Sequence, residues 1–230
     1  MVAVLSTSLL GAGALTGCGD AAQPAGTGDV GVAAAVQVQA DGCGATTIVG
    51  AGAFLAEENV LTVAHVVAGA GSVHVMLADG HLVDAKVVAI DRDKDLAVLD
   101  VDVDDLADEH VTWLSRGSMR PRAKGTFTVF RDGEPVALHF AVVAAVEIDV
   151  PAIDGGDSSM RHGYELRAAV EQGDSGAVLV TDGMATGVVF ARSTATGGRA
   201  WAIDISEADE LLAAAGDTAV DVGECVDTTR

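Results

Sequence analysis

Residues 171–180, EQGDSGAVLV, set Ser175 between two glycines, directly behind Asp174 and ahead of an apolar run. Two readings fit this stretch alone. Gly, Asp and Ser are turn formers, so the segment can be a tight turn that enters a strand. A serine on such a turn can also be a nucleophile, provided that the chain supplies the rest of the machinery. A hydroxyl is weakly nucleophilic near neutral pH. It needs a base within hydrogen-bond reach, and the base needs an acid to orient it.

Two further motifs supply candidates for both. VLTVAHVV (60–67) places His65 just after a strand-like run, and DRDKDLAVLD (91–100) places Asp95 at the opening of another. Each is weak by itself, since a histidine after a strand is more often structural than basic. Together they make a complete set. His65 takes the proton of Ser175, Asp95 holds the imidazole in the right tautomer, and the N–H groups of Gly173 and Ser175 form an oxyanion hole.

The pattern around these motifs is that of short strands. Apolar runs fall at 32–39, 45–55, 60–63, 72–77, 82–90 and 96–101, then at 126–130, 136–149, 164–170, 176–180, 186–191 and 200–205. Gly and Asp mark the gaps, as in ADGH, RDGEP and TDGMATG, which predicts an all-β sandwich or barrel. The runs divide into two groups of six around 104–125, where DDLADEH can form a helical turn and SRGSMRPRAKG reads as a loop. ISEADELLAAAG predicts one C-terminal helix over 206–215, with Ser206 as N-cap, acids in the first turn and Gly216 as the stop. Half of the residues are apolar, so a core can be buried, and the net charge of −21 disfavours nucleic acid as a partner. His74, His81, His110, His139 and His162 show no metal-ligand spacing, and neither a metal nor a cofactor is expected.

The three motifs, in the order His–Asp–Ser, resemble those of the chymotrypsin-like serine proteases. DLAVL resembles the HtrA branch, and the whole is similar to the periplasmic actinobacterial proteases of the MarP type. The resemblance covers about residues 40–215. It implies two perpendicular six-stranded antiparallel β-barrels with the active site between them, and a peptide or protein as substrate. The N-terminal barrel would span about 32–106 and the C-terminal barrel about 122–205, within a protease domain of 32–230. By the match of GVVFARS (187–193), Phe190, Ala191 and Arg192 border the primary pocket, with its floor around Ala168–Val170. No aspartate sits there, so the expected substrate residue is small or medium and apolar. Three features depart from the pattern. Ala177 stands where a glycine or proline is usual, Arg192 stands where a glycine is common and would narrow the pocket, and Asp174 needs a partner other than a freed N-terminal amine. The alternative to an active endopeptidase is a silent or zymogen-like protease fold that binds or regulates.

The first 17 residues are apolar and uncharged, too short to span a bilayer with ease, and suit a secretory signal. LTGC at 15–18 resembles a bacterial lipobox, which implies cleavage before Cys18, a lipid on its sulfur and attachment to the outer face of a membrane. An ordinary secretory signal or a clipped membrane segment is the alternative. Residues 18–31 then read as a flexible tether. With Cys18 lipidated, Cys43 and Cys225 are left either as a disulfide across the whole domain or as two separate buried thiols.

Overall fold

The computed structural model of the protein describes residues 27–44, 46–56, 59–102, 111–195 and 197–225. The motif DDLADEH (104–110) and Cys18 lie outside the described residues. A short helix, α1 (Thr27–Ala34), leads into six strands: β1 (Ala35–Asp41), β2 (Ile48–Leu55), β3 (Asn59–Thr62), β4 (Ser72–Leu77), β5 (Leu82–Asp91) and β6 (Leu96–Val101). One helical turn, α2 (Ala64–Val67), interrupts them after β3. Six more strands follow: β7 (Lys124–Arg131), β8 (Glu134–Pro151), β9 (Ser158–Ala168), β10 (Val178–Thr181), β11 (Met184–Arg192) and β12 (Arg199–Asp204).

The strands form two barrels, ordered β1-β2-β3-β6-β5-β4 and β10-β11-β12-β9-β8-β7, with every named pairing antiparallel. The first barrel closes through six paired residues between β1 and β4. The second closes more thinly, through Val180 opposite Thr126. Each of the twelve predicted runs holds a strand, because alternating Val, Ala and Leu present one face to each barrel interior. The Asp-Gly turns also do as expected. Asp132 and Gly133, and Asp182 and Gly183, all have positive φ, which is the conformation that a two-residue hairpin needs to match strand twist.

Some expectations need correction. Helix α1 occupies residues read as tether and as the start of a strand. It packs on β7 and β8 of one barrel and on β2 of the other, and Ala34 is fully buried. The C-terminal helix begins as a 3-10 turn, Ile205–Ala208, and continues as α3 (Asp209–Ala214). Its cap is Asp204, whose carboxylate accepts the Ser206 N–H at 2.9 Å, and not Ser206 itself. Asp outranks Ser here simply because it stands at the residue whose backbone is still extended. Gly216 has no left-handed φ, since the helix ends at Ala215 in an extended conformation.

The segment 111–117 binds the barrels to each other. Leu114 exchanges hydrogen bonds with Phe54 and Ala56 of the first barrel, and Ser115 and Gly117 bond to Ala185 of the second. Trp113 adds an edge-on contact to Phe54 at 5.1 Å between ring centres. Cys43 and Cys225 form a disulfide that spans 182 residues, with their Cα atoms 5.5 Å apart. The C-terminal segment is thereby held across the first barrel, where Arg92 also donates to the carbonyl of Val222 at 2.7 Å.

Candidate active site

A cleft of about 810 Å³ lies between the barrels, and His65, Asp95 and Ser175 all line it. Each comes from a different local device. His65 stands on the single turn α2, whose other side chains Ala64, Val66 and Val67 are buried. The turn thus anchors in the first barrel and leaves the imidazole partly open to the cleft. Asp95 lies in the β5–β6 turn with φ of 54°, a left-handed conformation that a short polar side chain tolerates better than most. That turn is braced by the Lys94 N–H, which donates to the Asp91 carboxylate at 2.7 Å.

The Asp95 carboxylate grips His65 twice. Oδ1 accepts the His65 backbone N–H at 2.8 Å, and Oδ2 lies 2.7 Å from the ring Nδ1. With the Asp95 side chain 6% exposed, little water competes for these bonds. An Nδ1–H bound to a carboxylate leaves Nε2 as the basic nitrogen, turned to the other side of the ring.

Ser175 sits on a loop that both barrels pin. Its carbonyl accepts the Ala51 N–H of β2 at 2.8 Å, while Gly176 N–H donates to Val189 of β11 at 2.8 Å. Gly176 has φ of 93°, and a Cβ there would collide with the Ala51 carbonyl. Only glycine allows that approach. Gly173 likewise has φ of 93°, which turns the peptide leading into Ser175.

Asp174 has no exposed surface, and its partner is Arg131, the last residue of β7. Nη1 donates to Oδ1 at 2.5 Å and Nη2 to Oδ2 at 2.8 Å, while the Glu171 N–H donates to Oδ2 at 2.8 Å. The hydrogen bond to Asp174 raises the guanidinium above its ordinary value, against the opposing effect of burial. The sequence shows that Asp174 needs a partner but not which residue supplies it. Arg131 is distant in sequence and sits beside a hairpin turn, where a lone cation carries no local signal.

Val170, Phe190, Ala191 and Arg192 also line the cleft, together with Val150 at the end of β8 and Ile153 in the β8–β9 connection. Ala168 instead is buried in the core of the second barrel. Arg192 is exposed at the end of β11. Residues 160–162, which precede the apolar run at 164–170, belong to β9, and Arg161 is the largest fully buried side chain among the described residues. Burial pushes its guanidinium down, whereas Asp95, Asp91, Glu207 and Asp93 pull it up. Its Nε and Nη2 donate to Ser159 Oγ, which donates in turn to the Asp93 carbonyl in the turn that carries Asp95.

This arrangement defines a two-barrel fold with a cleft that holds a serine and a carboxylate-bound histidine, and comparison with known proteins agrees. Residues 50–191 match the trypsin-like peptidase domain, and the chain belongs to that family. It is 31% identical over 185 residues to serine protease Rv3671c of Mycobacterium tuberculosis, across 77% of this chain and 45% of that protein. It is 31% identical over 150 residues to the serine protease Do-like HtrA of Bacillus subtilis, across 60% of this chain and 32% of that protein. The chain spans less than half the length of these curated relatives. Among solved structures, the active form of the Rv3671c protease superimposes with a TM-score of 0.78 at 26% identity, covering 87% of this chain and 89% of that one. The inactive form gives 0.68 at 25% identity, covering 83% and 92%.

Proposed function

We propose that this chain is a serine endopeptidase whose nucleophile is Ser175. Its Oγ attacks the carbonyl carbon of the scissile peptide and passes its proton to His65 Nε2. The tetrahedral oxyanion rests on the N–H groups of Gly173 and Ser175. The amine then leaves with the proton from His65, and an acyl-enzyme on Ser175 remains. Water repeats the steps in reverse, losing its proton to His65 as it attacks. Asp95 keeps the imidazole oriented and stabilises the imidazolium formed in each half. Each oxyanion donor contributes about 3–4 kcal/mol to such a transition state.

The observation that carries this reading is the 2.7 Å contact of Asp95 with His65 Nδ1, in the same cleft as Ser175. The Arg131–Asp174 pair supports an oxyanion loop that is set in the resting protein, as does the higher TM-score against the active form of the relative. The apolar lining of Val170, Phe190 and Ala191 favours a small or medium apolar residue before the scissile bond.

An extracytoplasmic location fits both the disulfide, which persists in oxidising compartments, and a relative named as a periplasmic serine protease in Haemophilus influenzae. A lipid on Cys18 would tether the enzyme to the membrane there.

The test is covalent labelling of the purified protein with a fluorophosphonate, beside Ser175→Ala and His65→Ala. Labelling of the parent alone establishes an activated serine. An unlabelled but folded parent protein overturns the reading in favour of a binding scaffold. Loss of the Ser175 hydroxyl should lower kcat by about 10⁶.

A further inference from the structure

The chain carries 34 acidic residues against 13 lysines and arginines. In such a chain an arginine normally has a carboxylate beside it, and five do: Arg92 with Asp154, Arg116 with Asp209, Arg120 with Asp182, Arg131 with Asp174 and Arg199 with Glu165. Of the other described arginines, Arg122, Arg161, Arg167 and Arg192, only Arg192 lines the cleft; it is exposed, and among the described residues its guanidinium has no carboxylate partner.

The other charges in the cleft wall are already engaged. Asp95 is buried against His65, and Glu171, on the opposite side in the Ser175 loop, lies 3.6 Å from Arg131 Nε. An anion that enters along β11 therefore meets one uncompensated cation.

The backbone beside Arg192 is open in the right direction. β11 pairs with β10 only as far as Val188, and Val189 exchanges hydrogen bonds with Gly176 and Ala177. From there to Arg192 the strand pairs with β12 on its other side alone. The free side is a sheet edge that faces the cleft, and an extended peptide can add to it as a strand. If an added strand runs antiparallel to β11 with its first residue before the scissile bond beside Phe190, its third residue lies beside Arg192. Side chains directly opposite in an antiparallel pair share one face of the sheet.

We propose that Arg192 selects substrates with an aspartate or glutamate as the third residue on the N-terminal side of the scissile bond. This rests on the reading of Ser175 as nucleophile, and it adds a substrate class to it: peptides with an apolar residue at the bond and an acid two residues earlier.

Three diphenyl phosphonates test it, built as acyl-Xaa-Ala-Val with Xaa as Glu, Gln or Lys. Their rates of inactivation are measured on the intact protein and on Arg192→Glu. The expected order is Glu, then Gln, then Lys, with Glu about fivefold faster than Lys at low salt, a modest ratio because the pair is exposed. The ratio should narrow in high salt, and Arg192→Glu should reverse the order, which a variant that is merely misfolded cannot do. Equal rates for the three probes, or an order unchanged by Arg192→Glu, overturn the role of Arg192 while leaving Ser175 as the nucleophile. No inactivation by any probe or by a fluorophosphonate overturns both.

Discussion

The guanidinium of Arg131 grips the carboxylate of Asp174 through two hydrogen bonds, of 2.5 and 2.8 Å, directly before the candidate nucleophile. Asp174 is fully buried, so its charge has no water to fall back on. The pair thus joins the end of β7 to the loop that carries Ser175, and it fixes the peptide whose N–H would face an oxyanion. Removal of Arg131 strands a buried carboxylate. Arg131→Met should cost about 2–3 kcal/mol, a lowering of the thermal midpoint by about 5–10 °C. It should reduce kcat/KM by about 10² or more, and Arg131→Lys should recover part of this loss. Thermal melts and peptide hydrolysis read the two effects separately. Unchanged turnover in Arg131→Met would mean that the loop is held by something else.

The same pair makes a statement about pH. The folded-state value of Arg131 is raised above its ordinary value by the hydrogen bond to Asp174, so the stability it contributes is fully present below that ordinary value and is lost only above the folded one. An amine of the α-amino type, which titrates near pH 8, would let go far earlier. The rate of fluorophosphonate labelling should therefore stay level from about pH 8 to about pH 10. A steep alkaline decline in folded protein would contradict an arginine-held loop.

Cys43 and Cys225 close a loop of most of the domain, and chain entropy puts an upper value of about 5 kcal/mol on such a closure. Measured effects usually fall below that figure. Cys225→Ser should lower the thermal midpoint by about 6–12 °C, equivalent to about 3 kcal/mol. Differential scanning calorimetry under non-reducing conditions checks this, and an unchanged midpoint would mean that the disulfide adds no stability.

Gly176 is a position where one methyl group decides the outcome. Gly176→Ala would combine a left-handed φ with a collision against the Ala51 carbonyl, which already accepts the Thr62 hydroxyl at 2.7 Å. The expected loss is about 2 kcal/mol or more of stability, together with most of the labelling at Ser175. Ala177, where the pattern of related proteins has another residue, is fully buried in the second barrel without harm to the strand that follows.

Much of this protein can be read without its coordinates. Period-2 alternation and Asp-Gly turns are local, so the twelve strands and their division into two barrels follow from short windows of sequence. His65, Asp95 and Ser175 were legible for a related reason, since each lies in a distinctive short motif at a strand end. Such local signals stop at the range of those windows. The pairing of Arg131 with Asp174 arises only on folding, because a β7 side chain meets the Ser175 loop through barrel closure and not through proximity in the chain. The fold also buries Arg161, which stands outside the predicted apolar runs, beside the Asp95 turn, and leaves Arg192 without a carboxylate partner among the described residues at an open strand edge. A charge carries no periodic signature of its own. Its partner is chosen by which strands become neighbours, and that choice is made across the whole fold.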